Sequence, residues 1–157
     1  AFVALLESGI GVVALHHTLA AHQEWPEYKK IIGGKYRIAD RTVNGKTVPK
    51  STFHHDQDID VTVADREHPI TRGLSGFRIH DETYHDFEVE PTVKVLLKTD
   101  HPRSTPQIAW AKTYAKSRVV YIQLGHDHHA YEHPTYRTIV ARAIRWAAGN
   151  DSESGTR

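Results

Sequence analysis

The sequence predicts an α/β fold built on a mostly parallel sheet. Two observations carry this. Helix and strand alternate at both ends of the chain, the pattern that generates parallel sheets. Two apolar strands also end abruptly in polar residues, at His16-His17 and at Gly125-His126. Open α/β sheets present their chemistry at such carboxyl edges. Between the two ends, several strands with short links predict an antiparallel extension or insert.

The elements follow in order. Ala1-Phe-Val-Ala-Leu-Leu-Glu-Ser-Gly9 reads as the second half of a helix with Gly9 as terminator. A domain seldom starts inside a helix, and no Met begins the chain, so further residues are expected upstream. Val12–Leu15 is continuous, apolar and β-branched, which predicts a fully buried strand. Trp25-Pro26 to Gly33-Gly34 predicts a short helix with Pro26 at its first position and Tyr28, Ile31 and Ile32 on its inner face.

Ile59–Val63 alternates as a half-buried strand does. The run from His68 to Leu74 reads as a turn-rich connector. Val93–Leu97, Gln107–Ala111 and Val119–Gln123 are three further strands. Pro134 opens a last helix whose apolar positions, Tyr136, Ile139, Val140, Ala143, Ile144 and Ala147, recur at helical spacing, and Gly149 closes it. Residues 1–149 form one domain on this reading, and 150–157 a polar tail.

Composition narrows the function. A chain of 157 residues suits one domain with a sizeable core. A formal charge of +1, with Lys and Arg scattered, gives no footprint for nucleic acid. No apolar run approaches the roughly 20 residues of a membrane span. Cysteine is absent, which excludes disulfides, thiolate metal sites and a Cys nucleophile. The compartment stays open, the cytoplasm being favoured over the periplasm or secretion. A count of 13 histidines raises the expectation of a site built from imidazoles.

Several motifs, taken together, resemble the ThuA-like (trehalose-utilisation) family. They are Gly9-x-Gly11-Val-Val-Ala-Leu-His16, Trp25-x-x-Tyr28 with Gly33-Gly34, and His68-Pro69-Ile70-Thr71-x-Gly73-Leu74. Asp81-Glu82-x-Tyr84, Ile108-Ala-Trp110, Gly125-His126 and Ile144-x-Trp146-Ala147-x-Gly149 continue the series. The resemblance spans nearly all of residues 1–149 in order. It implies a flavodoxin-like, three-layer sandwich related to class I glutamine amidotransferases, with its first βα units upstream of Ala1. In those relatives a catalytic Cys occupies the turn that here carries His16-His17, so amidotransferase chemistry is unavailable. Their catalytic His sits at the strand end that matches His126. Where glycines are expected before the last strand, this chain has Ala115-Lys-Ser117. The family is associated with trehalose and related sugars, and processing of 3-keto-sugars is the implied role.

The candidate catalytic residues are His16, Glu82 and His126: two imidazoles at strand ends, and a carboxylate whose pKa burial and neighbours would bring into working range. His17, Trp25, His55, Asp81 and Tyr84 are candidate substrate contacts. Adjacent histidines point apart, so only one of His54 and His55 is expected to face a site. His128 and His129 read as surface residues and His133 as a helix cap. Trp110 and Trp146 are expected in the core. Gly125 is expected to let backbone approach a ligand. The path of the loop carrying Glu82 is not readable from pattern.

Two mechanisms remain open for this set. The three groups either move protons unaided, or hold a divalent metal such as zinc in an open site. The expected partner is a small carbohydrate, a (keto-)disaccharide or related sugar, and a homo-oligomer is compatible with the reading. The alternative is a carbohydrate-binding or assembly module without catalysis.

Overall fold

The computed structural model describes residues 1–150; residues 151–157, most of the expected polar tail, lie outside the described residues. Helix α1 (Phe2–Glu7) ends through Ser8 into Gly9 at φ +94°. Strand β1 (Val12–Leu15) follows. The residue before it must be glycine, because a Cβ on Gly11 would lie 2.1 Å from the Ala147 carbonyl oxygen. A 3-10 turn over His16–Ala20 leads into α2 (Pro26–Ile32), opened by Pro26 and closed by Gly33 as its sequence predicts.

A two-residue strand, β2 (Gly34–Lys35), precedes an exposed hairpin of β3 (Arg41–Val43) and β4 (Lys46–Val48). Asn44-Gly45, both at positive φ, make its turn. Then come β5 (Thr52–Val63), β6 (Phe77–His85), β7 (Glu88–Val89), β8 (Lys94–Lys98), β9 (Gln107–Tyr114) and β10 (Ser117–Ile122). The short helix α3 (His128–Glu132) and the long α4 (Pro134–Ala147) complete the chain. His133 caps α4 as expected, its ring accepting from the Tyr136 amide.

The main sheet has six strands in the order β1-β10-β9-β8-β5-β6. A mostly parallel sheet is not what forms. Among the described residues only β1 and β10 run parallel in it, in register from Val12 with Val119 to Leu15 with Ile122. The β10–β9, β9–β8, β8–β5 and β5–β6 pairs are antiparallel. The reason is connection length. Ala115-Lys116 is all that joins β9 to β10, and a parallel pair needs a crossover of a dozen residues or more. Ala115 sits at φ +50°, which accounts for the glycine expected there.

Helices pack against both faces of the sheet. One core sets Val120 and Ile122 with Ile59, Ile79 and Leu97 against Ala130, Tyr136, Ile139 and Ala143 of α3 and α4. The other sets Val119, Tyr121 and Trp110 against Leu6, Leu19, Tyr28, Ile31 and Ile32. Alternation along β10 thus feeds both cores. Trp110 is fully buried and donates its indole N–H to the Ile32 carbonyl at 2.8 Å. Strand β1 is half-buried rather than fully so, since it lies at a sheet edge. No described helix is long and apolar enough to cross a membrane.

The sheet curls, and this creates the site. Its outermost strands in the pairing order, β1 and β6, come together at their ends: Tyr84 of β6 bonds the ring of His16, the residue after β1.

Candidate functional site

His16 occupies the first position after β1 with φ +45°, a left-handed conformation that is uncommon for a side chain larger than glycine. The turn is pinned from several directions. Its carbonyl accepts from the Tyr121 hydroxyl at 3.0 Å, Thr18 Oγ1 donates to the Leu15 carbonyl at 2.9 Å, and the Tyr28 hydroxyl donates to the Thr18 carbonyl at 3.0 Å. The ring is fixed too. Its Nδ1–H donates to the Gln123 carbonyl at 2.7 Å, which leaves Nε2 as the reactive nitrogen.

Around Nε2 the other groups converge. Glu82 Oε2 lies 3.0 Å away, the Tyr84 hydroxyl 2.9 Å and His126 Nδ1 3.4 Å. His126 Nδ1 is also 3.5 Å from Glu82 Oε2, and His55 Nδ1 is 3.0 Å from Glu82 Oε1. Glu82 is therefore not a loop residue. It sits in mid-β6, only 4 % exposed, with imidazoles on both its oxygens. Arg78, earlier on the same strand, pairs with Asp58 and Asp60 and not with Glu82.

Asp81, one residue earlier, has a different task. Its carboxylate is buried and accepts three backbone N–H groups: Gly125 at 2.7 Å, His126 at 3.0 Å and its neighbour Glu82 at 2.8 Å. It ties the end of the last strand to β6 and so sets the position of His126. Gly125 is needed for a reason other than ligand approach. At φ +122° it faces Tyr136, whose hydroxyl would be 2.5 Å from an added Cβ.

The electrostatics favour a charged pair. Burial pushes His16 downward, but its bonds to Glu82 and the Gln123 carbonyl, with the charges of Glu82 and Asp81, outweigh burial and raise its pKa above the ordinary value. Burial likewise pushes Glu82 upward, and the bonds to His16 and Tyr84 with the charges of His16 and His126 overcome it, so its pKa falls. Desolvation first, then Glu82, hold the Tyr84 hydroxyl far above its usual range, so it remains a donor.

These groups line a crevice of about 950 Å³. His17, His55 and Tyr84 border it, as does His54, so both members of the His54-His55 pair reach it. The register shift in β5 after His54 breaks the simple alternation that would have separated them. Trp25 does not border the crevice; it packs with Phe2, His22 and Tyr28 beside the second core. Asp81 acts from behind through the backbone. Sequence reading missed Tyr36, Ile38, Lys50 and Phe53, which complete the wall. A lone Phe ahead of His54-His55 in a polar run was the available signal.

His16, Glu82 and His126 each offer one ligand atom within 4.8 Å of the others, so this set fits a divalent cation. Ligands about 2.1 Å from one ion are roughly 3.0 Å apart at right angles and roughly 3.4 Å apart in a tetrahedron. The observed separations of 3.0, 3.4 and 3.5 Å match that spacing. Asp127, His128 and His129 form a second such group on the surface, where His129 is held by Asp127.

Fold and site together define a mixed α/β protein with a His-Glu-His crevice at a strand-end turn. A sequence model of the family described as trehalose utilisation, ThuA, matches residues 1–147, and the chain belongs to that family. Among solved structures it is similar to a ThuA-like protein from Parabacteroides merdae, with a TM-score of 0.81 and 19% identity over 99% of this chain and 66% of that one. A ThuA-like protein from Bacteroides uniformis gives a TM-score of 0.67 and 22% identity over 93% of this chain and 61% of that one. A cytoplasmic protein from Salmonella typhimurium gives 0.65 and 12% over 92% and 58%. The chain thus spans less than two thirds of the length of these structures. No curated protein matches it in sequence.

Proposed function

We propose that this chain carries the catalytic crevice of a carbohydrate-processing enzyme that moves protons beside a sugar ketone. The observation that carries the reading is the convergence of Glu82, His126 and Tyr84 on one nitrogen of His16. The family's description, trehalose utilisation, supplies the substrate class.

In a 3-keto-glycoside the C2 proton lies beside the ketone, and the glycosidic oxygen on C1 is β to it. His126, with Nδ1 turned toward Glu82, takes the C2 proton on Nε2. The electron pair moves onto the carbonyl oxygen, which accepts hydrogen bonds from the His16 Nε2–H and the Tyr84 hydroxyl. Glu82 favours the protonated form of His16 that this role needs, the direction in which the His16 pKa is shifted. Return of the pair expels the C1 oxygen, which receives the proton from His126. Without a leaving group the proton returns to carbon, giving exchange or isomerisation.

A second reading has its own support. The ligand spacing in His16, Glu82 and His126, and the Nδ1–H bond that orients His16, would suit a metal site with an oriented imidazole. A bound divalent ion would polarise the ketone. The parallel β1–β10 pair with helices on both faces is the part that supports a flavodoxin-like relationship.

The test is incubation with 3-keto-glucose and 3-keto-trehalose in D2O, followed by NMR, before and after chelation. Deuterium at C2 of 3-keto-glucose and cleavage of 3-keto-trehalose, both lost at least about 100-fold in Glu82→Gln and in His126→Gln, are expected. Activity lost on chelation and restored by zinc selects the metal reading. No exchange and no turnover overturn both and leave a binding module.

A further inference from the structure

Resting on that reading, we infer that the crevice contains a second sugar subsite, built on Phe53 and Ile38, that selects a disaccharide-sized glycoside over a single hexose. Five rings run in series along the crevice. Tyr84 and His16 are 4.9 Å apart between centroids, His16 and His126 5.4 Å, His126 and His55 4.8 Å, and His55 and Phe53 5.1 Å. The reacting groups occupy the buried end of this series. Phe53 ends it on the solvent side, two ring steps beyond His126.

Phe53 is 53% exposed and Ile38 59% exposed, yet both line the same crevice. Large apolar side chains left bare beside a polar cluster mark a place where something is to be covered. Lys50, Thr52 and His54 line the same crevice, and no ion pair engages the Lys50 ammonium among the described residues. An apolar face rimmed by hydrogen-bonding groups suits a pyranose ring, which has C–H faces and hydroxyl edges. The crevice, at about 950 Å³, is at the upper end of the range of small-molecule sites, roughly 300–1,000 Å³, and so has room for more than one hexose.

The position of Phe53 is set by pairing and not by its own burial. It lies directly opposite Tyr84 across the β5–β6 ladder, so both rings project to one face. Any distortion that moves Phe53 therefore moves the ladder that carries Tyr84 and Glu82. The second ring is placed relative to the reacting groups by backbone hydrogen bonds.

The experiment compares binding of trehalose, phenyl glucoside and glucose to the wild-type chain, Phe53→Ala and Phe53→Trp by titration calorimetry, together with the keto-sugar turnover assay. Trehalose is expected to bind at least tenfold more tightly than glucose, and Phe53→Ala to erase that gap without changing glucose affinity. Phe53→Trp should preserve it. Equal affinity for the two sugars, a gap that survives Phe53→Ala, or a gap with phenyl glucoside alone overturns the subsite. A gap without keto-sugar turnover leaves the subsite standing and overturns the acid–base reading. Turnover without a gap does the reverse.

Discussion

Glu82 Oε2 and His16 Nε2 lie 3.0 Å apart although their strands, β6 and β1, stand at opposite ends of the strand order. Curling of the sheet closes that distance, and each group shifts the other's titration toward the charged form.

Replacing Glu82 by Gln should therefore lower the His16 pKa. The charge of Glu82 and its carboxylate bond, two of the influences that raise His16, are removed, while the Gln123 carbonyl and Asp81 remain and burial still pulls downward. Imidazole resonances followed by NMR over pH would show the midpoint of His16 falling. A midpoint that does not move would refute the coupling.

The pair should also leave a mark on stability. His16 is raised in the folded state, so its contribution is complete below its unfolded pKa and is lost as pH rises through the folded value. Glu82 is lowered, so its contribution is present above its unfolded pKa and is lost as pH falls through the folded value. The Tm difference between wild type and Glu82→Gln should peak between those limits and shrink toward both acid and alkaline pH. A difference that stays flat from pH 3 to pH 9 would count against the ion pair.

Asp81→Asn should cost about 2–4 kcal/mol, read from urea unfolding. One acceptor oxygen cannot serve the Gly125, His126 and Glu82 amides as two do, and the new NH2 faces a donor. Because these amides position His126, turnover should fall as well, while the His16 ring keeps its bond to the Gln123 carbonyl. A variant of wild-type stability would show that the three bonds are dispensable.

Gly125→Ala meets two obstacles, the Tyr136 hydroxyl and a φ of +122°. A loss of about 1–3 kcal/mol is expected. Adding Tyr136→Phe should return part of it, the share due to the clash, and leave the share due to backbone strain. Full recovery in the double variant would mean that backbone strain contributes nothing.

Much of this was legible in the residues. Apolar runs and helix terminators located α1, β1, α2, β9, β10 and α4, because those signals are local and repeat at a fixed period. Polar breaks after apolar strands pointed to His16 and His126. The absence of cysteine ruled out thiol chemistry without any structure. Strand β6 was different. Phe77-Arg-Ile-His-Asp-Glu-Thr-Tyr-His85 carries charged groups at buried positions, which a local pattern reads as loop.

What the tertiary structure alone decided is who neutralises those groups. Asp81 is satisfied by amides 44 and 45 residues away, and Glu82 by imidazoles from the turn after β1, the β5 bulge and the end of β10. Burial of a carboxylate is affordable only when such partners arrive together. Strand direction was decided in the same way, by which edges could pair once short links had folded back, and not by the apolar pattern of any single strand. The chain's own residues thus determined that imidazoles sit at two strand ends. Curling of the sheet determined that they share a carboxylate.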